Sequence, residues 1–579
     1  MQPVIVPVES RHGQTRTMVR RPRSTTPKFR ALILTVLLVT LGMAHAAPPA
    51  PKAVPQPAQQ PVTVHFPVSC ETTAQADFDR AVTLLHHMTY PQARAAFQEI
   101  AEHDPGCAMA QWGIAMTLFT PLWPTRPSPA DLQQGWDAVQ KGRALAPPTA
   151  RERDFIAAAA AFFEEPDATD YWARIARWET AMAALHAAFP DDIEASTFYA
   201  LALLASARPG PSAQEHSRHA VELLEPVLRD NPTHPGAMHY LIHANDLPGR
   251  ERNDLDIVQG YEKVAPDNPH ALHMPTHIYT RLGDWDGVIR GNLRAEAAAL
   301  KYPAGDSGQY VTDEFPHAIE YLVYAYLQQA DDQKAAAQIK RLNATAHLEP
   351  TVKTAFHIAS TRARYALERH AWAEAAALEP RLPAAVAWDN YPWAEAVSWF
   401  ARGYGAVRRG KDADARNALG PLQELEARAT RAGEEIFARQ IQILRLDLAA
   451  WAAHAMHDDD SAIATLQQAV ELEASTPKPA VTPAPTIPAA ELLADLLTEL
   501  KRPREALAAY QLSLQRFPKR FNSTAGAARS FAATDDAVNA EKMYCQLLQL
   551  AEHGSRAEIG EARRFVEGRK HRCALPGRP

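Results

Sequence analysis

The residues with the clearest capacity for chemistry in this chain are two pairs of histidines. His239 and His243 lie four positions apart, as do His273 and His277, and the second pair follows the first by 34 residues. Residues four apart on a helix share one face, so each pair would present two imidazoles side by side. Helices pack with axes about 8–10 Å apart, which places His239 beside His273 and His243 beside His277 if the two helices are neighbours. Two facing imidazole pairs, with Asp246 or His270 close by to complete the shell, have the ligand chemistry for Zn²⁺, Cu²⁺ or Ni²⁺. The glutamate that follows the first histidine in zinc proteases is missing, since Tyr240 stands there, so hydrolysis is not implied. Two other readings fit the same residues: an imidazole-rich groove for a peptide, and plain hydrogen bonding between neighbouring helices.

The elements that must position these histidines are helices. From about Ala74 the chain runs in Ala-, Leu- and Glu-rich stretches with apolar residues at i, i+3, i+4 and i+7, interrupted by Gly, Asp or Pro turns. Alternation of the strand type is almost absent. One register recurs: Tyr90, Ala93, Phe97, Ile100 and Pro105, with Trp112-Gly113 opening the next helix. It returns as Gly283-Asp284-Trp285 followed by Val288, Asn292 and Ala295, and again as Arg502-Pro503, Ala506, Tyr510 and Pro518. Pro232 and Pro266 are separated by 34 residues.

This pattern resembles the tetratricopeptide repeat (TPR), a pair of antiparallel helices with small residues at the crossing and a closing proline. The resemblance covers most of residues 74–555, with irregular units at 120–170 and 300–480. The stretches 239–244 and 270–285 also resemble a group of exported bacterial repeat proteins of unassigned activity, which implies a fold rather than a function. The family resemblance implies an all-α, helical-hairpin solenoid wound as a right-handed superhelix, binding a protein or peptide in a concave groove lined by the first helix of each repeat. In the family's alignment the second, fifth, ninth and twelfth positions of that helix face the groove. Those positions hold His270, His273 and His277 in one unit, Asp246 in the preceding unit, His317, Glu320 and Tyr324 in the next, and His357 in the one after. The resemblance thus implies a His-rich strip within 234–324 at the centre of the groove.

Composition bounds the remaining possibilities. Of the 579 residues 46% are hydrophobic, which excludes wholesale disorder, and four cysteines exclude a disulfide scaffold. Net charge is −7, but seven basic residues and Glu9 lie within the first 46 positions, so the rest carries −13 and a nucleic-acid partner is disfavoured. Arg11 to Arg30 supply a basic stretch before the uncharged run Ala31–Ala44, which as a helix spans about 21 Å against the roughly 30 Å hydrocarbon core. Ala44-His45-Ala46 then gives a small-x-small pattern, predicting a signal peptide over 1–46, cleavage before Ala47 and no stable transmembrane span thereafter. The alternative is an uncleaved membrane anchor. Export to an oxidising periplasmic or extracellular space makes Cys70–Cys107 and Cys545–Cys573, each pair nearest in sequence, the natural disulfides.

The organisation that follows is a Pro/Ala-rich linker at 47–67, a repeat array over 68–475, a Pro/Thr loop at 476–488, and C-terminal repeats with a capping helix over 489–579. His86-His87 read as a cap or a solvent-facing pair. Trp112 and Trp123 with Pro121, Pro124 and Pro127 read as a loop at the groove mouth, and His454, His457 and Asp458 to Asp460 as an exposed turn. No phosphate-binding loop, nucleophile elbow or Ser/His/Asp order is present. An enzyme with groove histidines as acid and base near their ordinary pKa of about 6.5 is conceivable, but no catalytic residue can be named.

Overall fold

The computed structural model describes residues 62–123, 126–165, 170–208, 211–305, 308–567 and 573. The expected signal peptide, its expected cleavage site and most of the 47–67 linker lie outside the described residues. Within them the fold is an all-α array of TPR-like helical hairpins, from Gln75–His86 to Ala557–Glu567. The strands among the described residues are the short antiparallel pair Pro303–Ala304 and Tyr310–Val311. No described helix is long and apolar enough to cross a membrane.

Local sequence explains the hairpins around the histidines. The His234 imidazole caps Pro235–Asn245 by accepting from the Ala237 amide at 3.1 Å, and Asn268 caps Pro269–His273 by accepting from Ala271 at 3.0 Å. Pro235 and Pro269 occupy first-turn positions, where a missing N–H leaves no bond unmade. Pro275 is different: it cannot donate back into the preceding turn, and the helix divides into Pro269–His273 and Pro275–Leu282 with Met274 between them. Gly283 then ends the second piece at φ +63°, a left-handed conformation that favours glycine. The small residues that the repeat demands are used for close approach: a Cβ on Gly526 would meet the Tyr510 ring at 2.2 Å.

Helices consecutive in sequence pack on each other, and first helices of successive hairpins do too, as with Glu314–Gln328, Val352–Leu367 and Pro392–Val407. Their apolar faces form two large cores. One runs from Val64 to Ile278 and the other from Ala299 to Ala527. The histidine-bearing helices sit at the seam, with Pro235–Asn245 and Pro275–Leu282 feeding the first core and Glu314–Gln328 feeding the second. Disulfides join Cys70 to Cys107 and Cys545 to Cys573.

Three segments differ from the sequence reading. The described end of the linker is not a spacer: Val64 and Phe66 are buried, and the Phe66 ring packs 5.0–5.4 Å from those of Phe78, Trp112 and Phe155. Trp112 belongs to this aromatic core rather than to a loop. The Pro/Thr tract 476–488 is irregular as its prolines require, yet Thr476, Val481, Thr482, Ala484, Thr486 and Ile487 are buried. It is a strap laid against the histidine strip.

Candidate metal centre

The histidines do not line an open groove. His239, His270, His273, His277 and His317 are each at most 3% exposed, and Glu320, Tyr324 and His357 at most 1%. The strap is one reason. Arg364, itself fully buried, donates to the Pro485 carbonyl at 2.7 Å and to Thr482 Oγ1 at 3.1 Å, and Lys478 reaches Asp246 at 3.6 Å. A peptide lying along this strip would have to displace the chain's own segment.

The structure groups the imidazoles in threes. Ligand nitrogens of His239, His243 and His270 lie within 4.8 Å of one another, and so do those of His273, His277 and His317. The expected side-by-side pairs are reproduced for His243 and His277, whose rings stand 6.2 Å apart. His239 instead meets His270 at 5.0 Å, and His273 meets His317 at 4.2 Å. The physical reason is the break at Met274-Pro275, which splits the helix bearing His270 and His273 from the one bearing His277. The two groups touch through the His243–His277 and His270–His273 contacts, the latter at 6.3 Å.

What each ring does with its other nitrogen decides the chemistry. His239 Nδ1 is 2.6 Å from the His86 carbonyl, an acceptor only, so Nδ1 carries the proton. His277 Nδ1 lies 3.0 Å from the Asp246 carboxylate for the same result. His273 Nδ1 is 2.7 Å from Asn292 Oδ1, and that amide is oriented by its own donation to the Val288 carbonyl at 2.9 Å. His270 Nδ1 stands 3.2 Å from Glu314 Oε1. His317 Nδ1 faces His357 Nε2 at 3.0 Å, and His357 donates through Nδ1 to Glu320, which also accepts from Arg364 at 3.0 Å. In His239, His273, His277 and His317 this leaves Nε2 with its lone pair, whereas neither ring nitrogen of His270 is in a hydrogen bond. Among the described residues, Nε2 of His239, His243 and His270 is buried without a partner, and those of His273 and His277 face each other at 3.0 Å.

This is the arrangement that metal-ligating histidines show, with the far nitrogen held by an acceptor and the near one free. Nitrogens about 2.0–2.1 Å from a tetrahedral ion are separated by roughly 3.4 Å, so the 3.0 Å pair needs little movement and the others a modest contraction. Burial lowers the pKa of His239, His273, His277 and His317, and it pushes His243 down to about 3 with further contributions from His277 and His270. Burial alone would raise the Asp246 carboxyl, but Arg281 and Lys478 outweigh it and hold it well below its usual range.

Several residues of the site were not visible in the sequence reading. Asn292, Glu314, Tyr321, Lys353 and Arg281 come from second helices, helix ends or the far face of a first helix, and Lys478 from the strap. The Lys353 ammonium is 2.6 Å from Glu314 and 2.7 Å from Asp313. Conversely, Tyr324 turns away from the ladder and accepts from Arg520 at 3.2 Å. His86 and His87 are buried rather than solvent-facing, hydrogen-bonded to Tyr240 at 3.0 Å and Tyr261 at 2.7 Å. Trp123 does lie near the site, its ring 5.6 Å from that of His270. His457 lies in the turn between Glu435–Ala455 and Asp459–Ser475, and His454 is in the last turn of the first of these helices, 2.6 Å from Asp459.

The hairpins define the chain as a TPR-like helical-repeat protein with a buried histidine centre. No family model and no curated protein matches the sequence. Among solved structures, human IFIT1, as a dimer with m7Gppp-AAAA, is similar at 13% identity over 77% of this chain and 90% of its own, with a TM-score of 0.36. Yeast Tom70 is similar at 12% identity over 86% and 96%, TM-score 0.26, and the anaphase-promoting-complex assembly Cut9–Hcn1 at 12% over 86% and 97%, TM-score 0.24.

Proposed function

We propose that this chain is an exported metal-binding helical-repeat protein. In this reading His239, His243 and His270 hold one divalent transition-metal ion, and His273, His277 and His317 hold another. The observation that carries the reading is the buried Nε2 atoms of His239, His243 and His270, which have no hydrogen-bond partner, together with the Nε2 atoms of His273 and His277, which face each other while Asn292 and Asp246 hold their Nδ1 atoms. An unpaired buried polar atom costs about 1–3 kcal/mol, and three in one place call for a ligand. Three imidazoles also leave a coordination position open on each ion, as in metal sites that bind a further molecule. The two disulfides fit an oxidising compartment.

The test is metal content of the untagged chain, loaded with Zn²⁺ or Cu²⁺ and dialysed against a competing chelator. Two ions retained in the wild type and one of them lost on replacing any of the six histidines by alanine, with helical circular dichroism kept, is the expected result. A chain that retains neither metal ends the proposal. A protein or peptide partner is a second reading, favoured by the extended segment already lying on the strip. Amides of 476–488 that exchange as slowly as those of the helices would count against it, because the strip would then be closed.

A further inference from the structure

The metal reading leaves open what the two ions are and what they do together, and the surroundings of the two triads bear on both. Six imidazoles provide all the ligand nitrogens, and four carboxylates set around them each have a cationic partner. Asp246 is bonded to Arg281 and lies 3.6 Å from Lys478; Asp313 and Glu314 share Lys353; Glu320 pairs with Arg364. The four acids are matched by four cations, so this buried shell has no negative charge left for an incoming metal. Two Zn²⁺ ions would bring four uncompensated positive charges, whereas two copper(I) ions bring two. Uncompensated buried charge is strongly disfavoured, and imidazole is a good ligand for copper.

The triads are also one cluster rather than two remote sites. Ring contacts of 6.2 Å and 6.3 Å link them at two points, and two-metal centres act on a shared ligand when the ions are roughly 3.5–4 Å apart. Tyr321 lies against the second triad. Its ring is 4.6 Å from His273, 5.2 Å from His317 and 5.5 Å from His277, and its buried hydroxyl has no partner. A phenol with an unused proton is a hydrogen-bond donor waiting for an acceptor in the centre. A solvent-facing cavity of about 700 Å³ approaches from the other side, lined by Tyr90, Trp123, Glu314, Lys353 and Val481. Trp123 and Glu314 are the two of these that touch His270.

Building on the metal reading, we propose that the six histidines form one dinuclear copper centre that binds dioxygen between its two ions, with the Tyr321 hydroxyl as hydrogen-bond donor to the bound oxygen. Each copper(I) gives one electron to O₂, producing two copper(II) ions and the two-electron-reduced O₂²⁻ held between them; no proton or further reductant is consumed. Net charge in the centre is +2 before and after, so the neutral shell tolerates both states. Release of O₂ returns the two electrons.

The experiment loads the full chain anaerobically with a copper(I)–acetonitrile complex, counts copper after desalting, and then admits air. Expected are two coppers per chain, uptake of one O₂ per two coppers with a new near-ultraviolet absorption, and no copper(II) electron-spin signal because the two spins are coupled. His317→Ala is expected to keep one copper and lose oxygen uptake. Tyr321→Phe should keep two coppers but require a severalfold higher oxygen pressure for half-saturation. The inference is overturned by two coppers that give two uncoupled copper(II) signals, by two coppers without oxygen uptake, or by a single copper in the wild type. Tyr321→Phe with unchanged half-saturation removes the hydroxyl's part. A chain that holds neither copper nor zinc instead overturns the underlying metal reading, so the two failures are told apart.

Discussion

Among the described residues, two histidine clusters have the composition of a metal site, and only one has the lone pairs. His86, Glu194 and His234 bring their ligand atoms within 4.8 Å of one another, the same convergence shown by the two triads. Yet every atom of that cluster is committed. Glu194 takes His86 Nε2 at 2.8 Å on one oxygen and His234 Nε2 at 3.0 Å on the other. The remaining nitrogens bond Tyr240 and the Ala237 amide. In the 239–317 region carboxylates and amides sit behind the rings, on Nδ1, and the Nε2 atoms are left pointing at each other. Placing the acceptor between two imidazoles makes a structural network, and placing it behind them makes a coordination site. Proximity of histidines and carboxylates therefore decides little until each nitrogen has been assigned.

The comparison breaks most visibly at Glu194. Glu194→Ala leaves two buried imidazoles without their shared acceptor, and breaking a buried charged or charge-assisted pair in this way costs about 3–5 kcal/mol. Urea unfolding should show this loss in the Val64–Ile278 core, while the metal content of the protein that remains folded is unchanged. Loss of metal on Glu194→Ala, with the fold intact, would make the two clusters one system.

Replacement of a ring in the other cluster should behave in the opposite way. His277→Ala removes one of the Nε2 atoms in the 3.0 Å pair, and metal affinity should fall by more than the 10–100-fold typical of outer-shell changes. Chelator competition gives the number and circular dichroism checks the fold. An unfolded His277→Ala chain would show that this cluster, too, is structural.

How much of this could be read beforehand follows from where each signal is stored. The 34-residue offset and the four-residue spacing placed His239, His243, His273 and His277 together, because helix period and repeat period are both written locally. The division into triads was hidden. It depends on Pro275 breaking a helix whose flanking residues still look periodic, and on His270 and His317 sitting at helix starts. The acceptors behind the rings come from partners 19 to 44 residues away for Asn292, Asp246, Glu314 and the Glu320 relay, and no period links them. Two hints were present: Asn292 is a polar residue on a second-helix face shared with Val288, Ala295 and Ala299, and Lys478 is the one charged residue of 476–488. Burial of the strip was the larger gap, since nothing in a Pro/Thr tract announces that it folds back onto helices more than a hundred residues earlier.

Outer-shell variants sharpen the comparison further. Asn292→Ala removes the acceptor that holds the His273 proton on Nδ1, and a loss of 10–100-fold in metal affinity, about 1.4–2.7 kcal/mol, is expected. Asn292→Asp keeps an acceptor at that place and should retain most of the affinity. Equal losses from both variants would mean that Asn292 acts through packing rather than through the tautomer.

The smallest effect separates the metal region from the helix pair Glu435–Ala455 and Asp459–Ser475 by pH. Glu473, on Asp459–Ser475, is raised from its usual 4.5 to about 7, first by burial, and Asp447 on the neighbouring Glu435–Ala455 is raised by burial and by Glu473. Neither Asp447 oxygen has a hydrogen-bond partner. A folded-state pKa above the unfolded one means that the folded chain holds the Glu473 proton between about pH 4.5 and 7 while the unfolded chain releases it. Stability from this group is thus fully present below about pH 4.5 and is lost as pH rises through about 7. Glu473→Gln keeps a neutral side chain at all pH values, so it should stabilise the protein by about 1 kcal/mol at pH 8 and by less at pH 5.5. Taking the difference between variant and wild-type urea midpoints at the two pH values cancels the titration of the buried histidines, which runs the other way. A difference that does not grow with pH would show that Glu473 is ionised in the folded state, leaving the Asp447–Glu473 acid pair as fully compensated as the triad around Glu194.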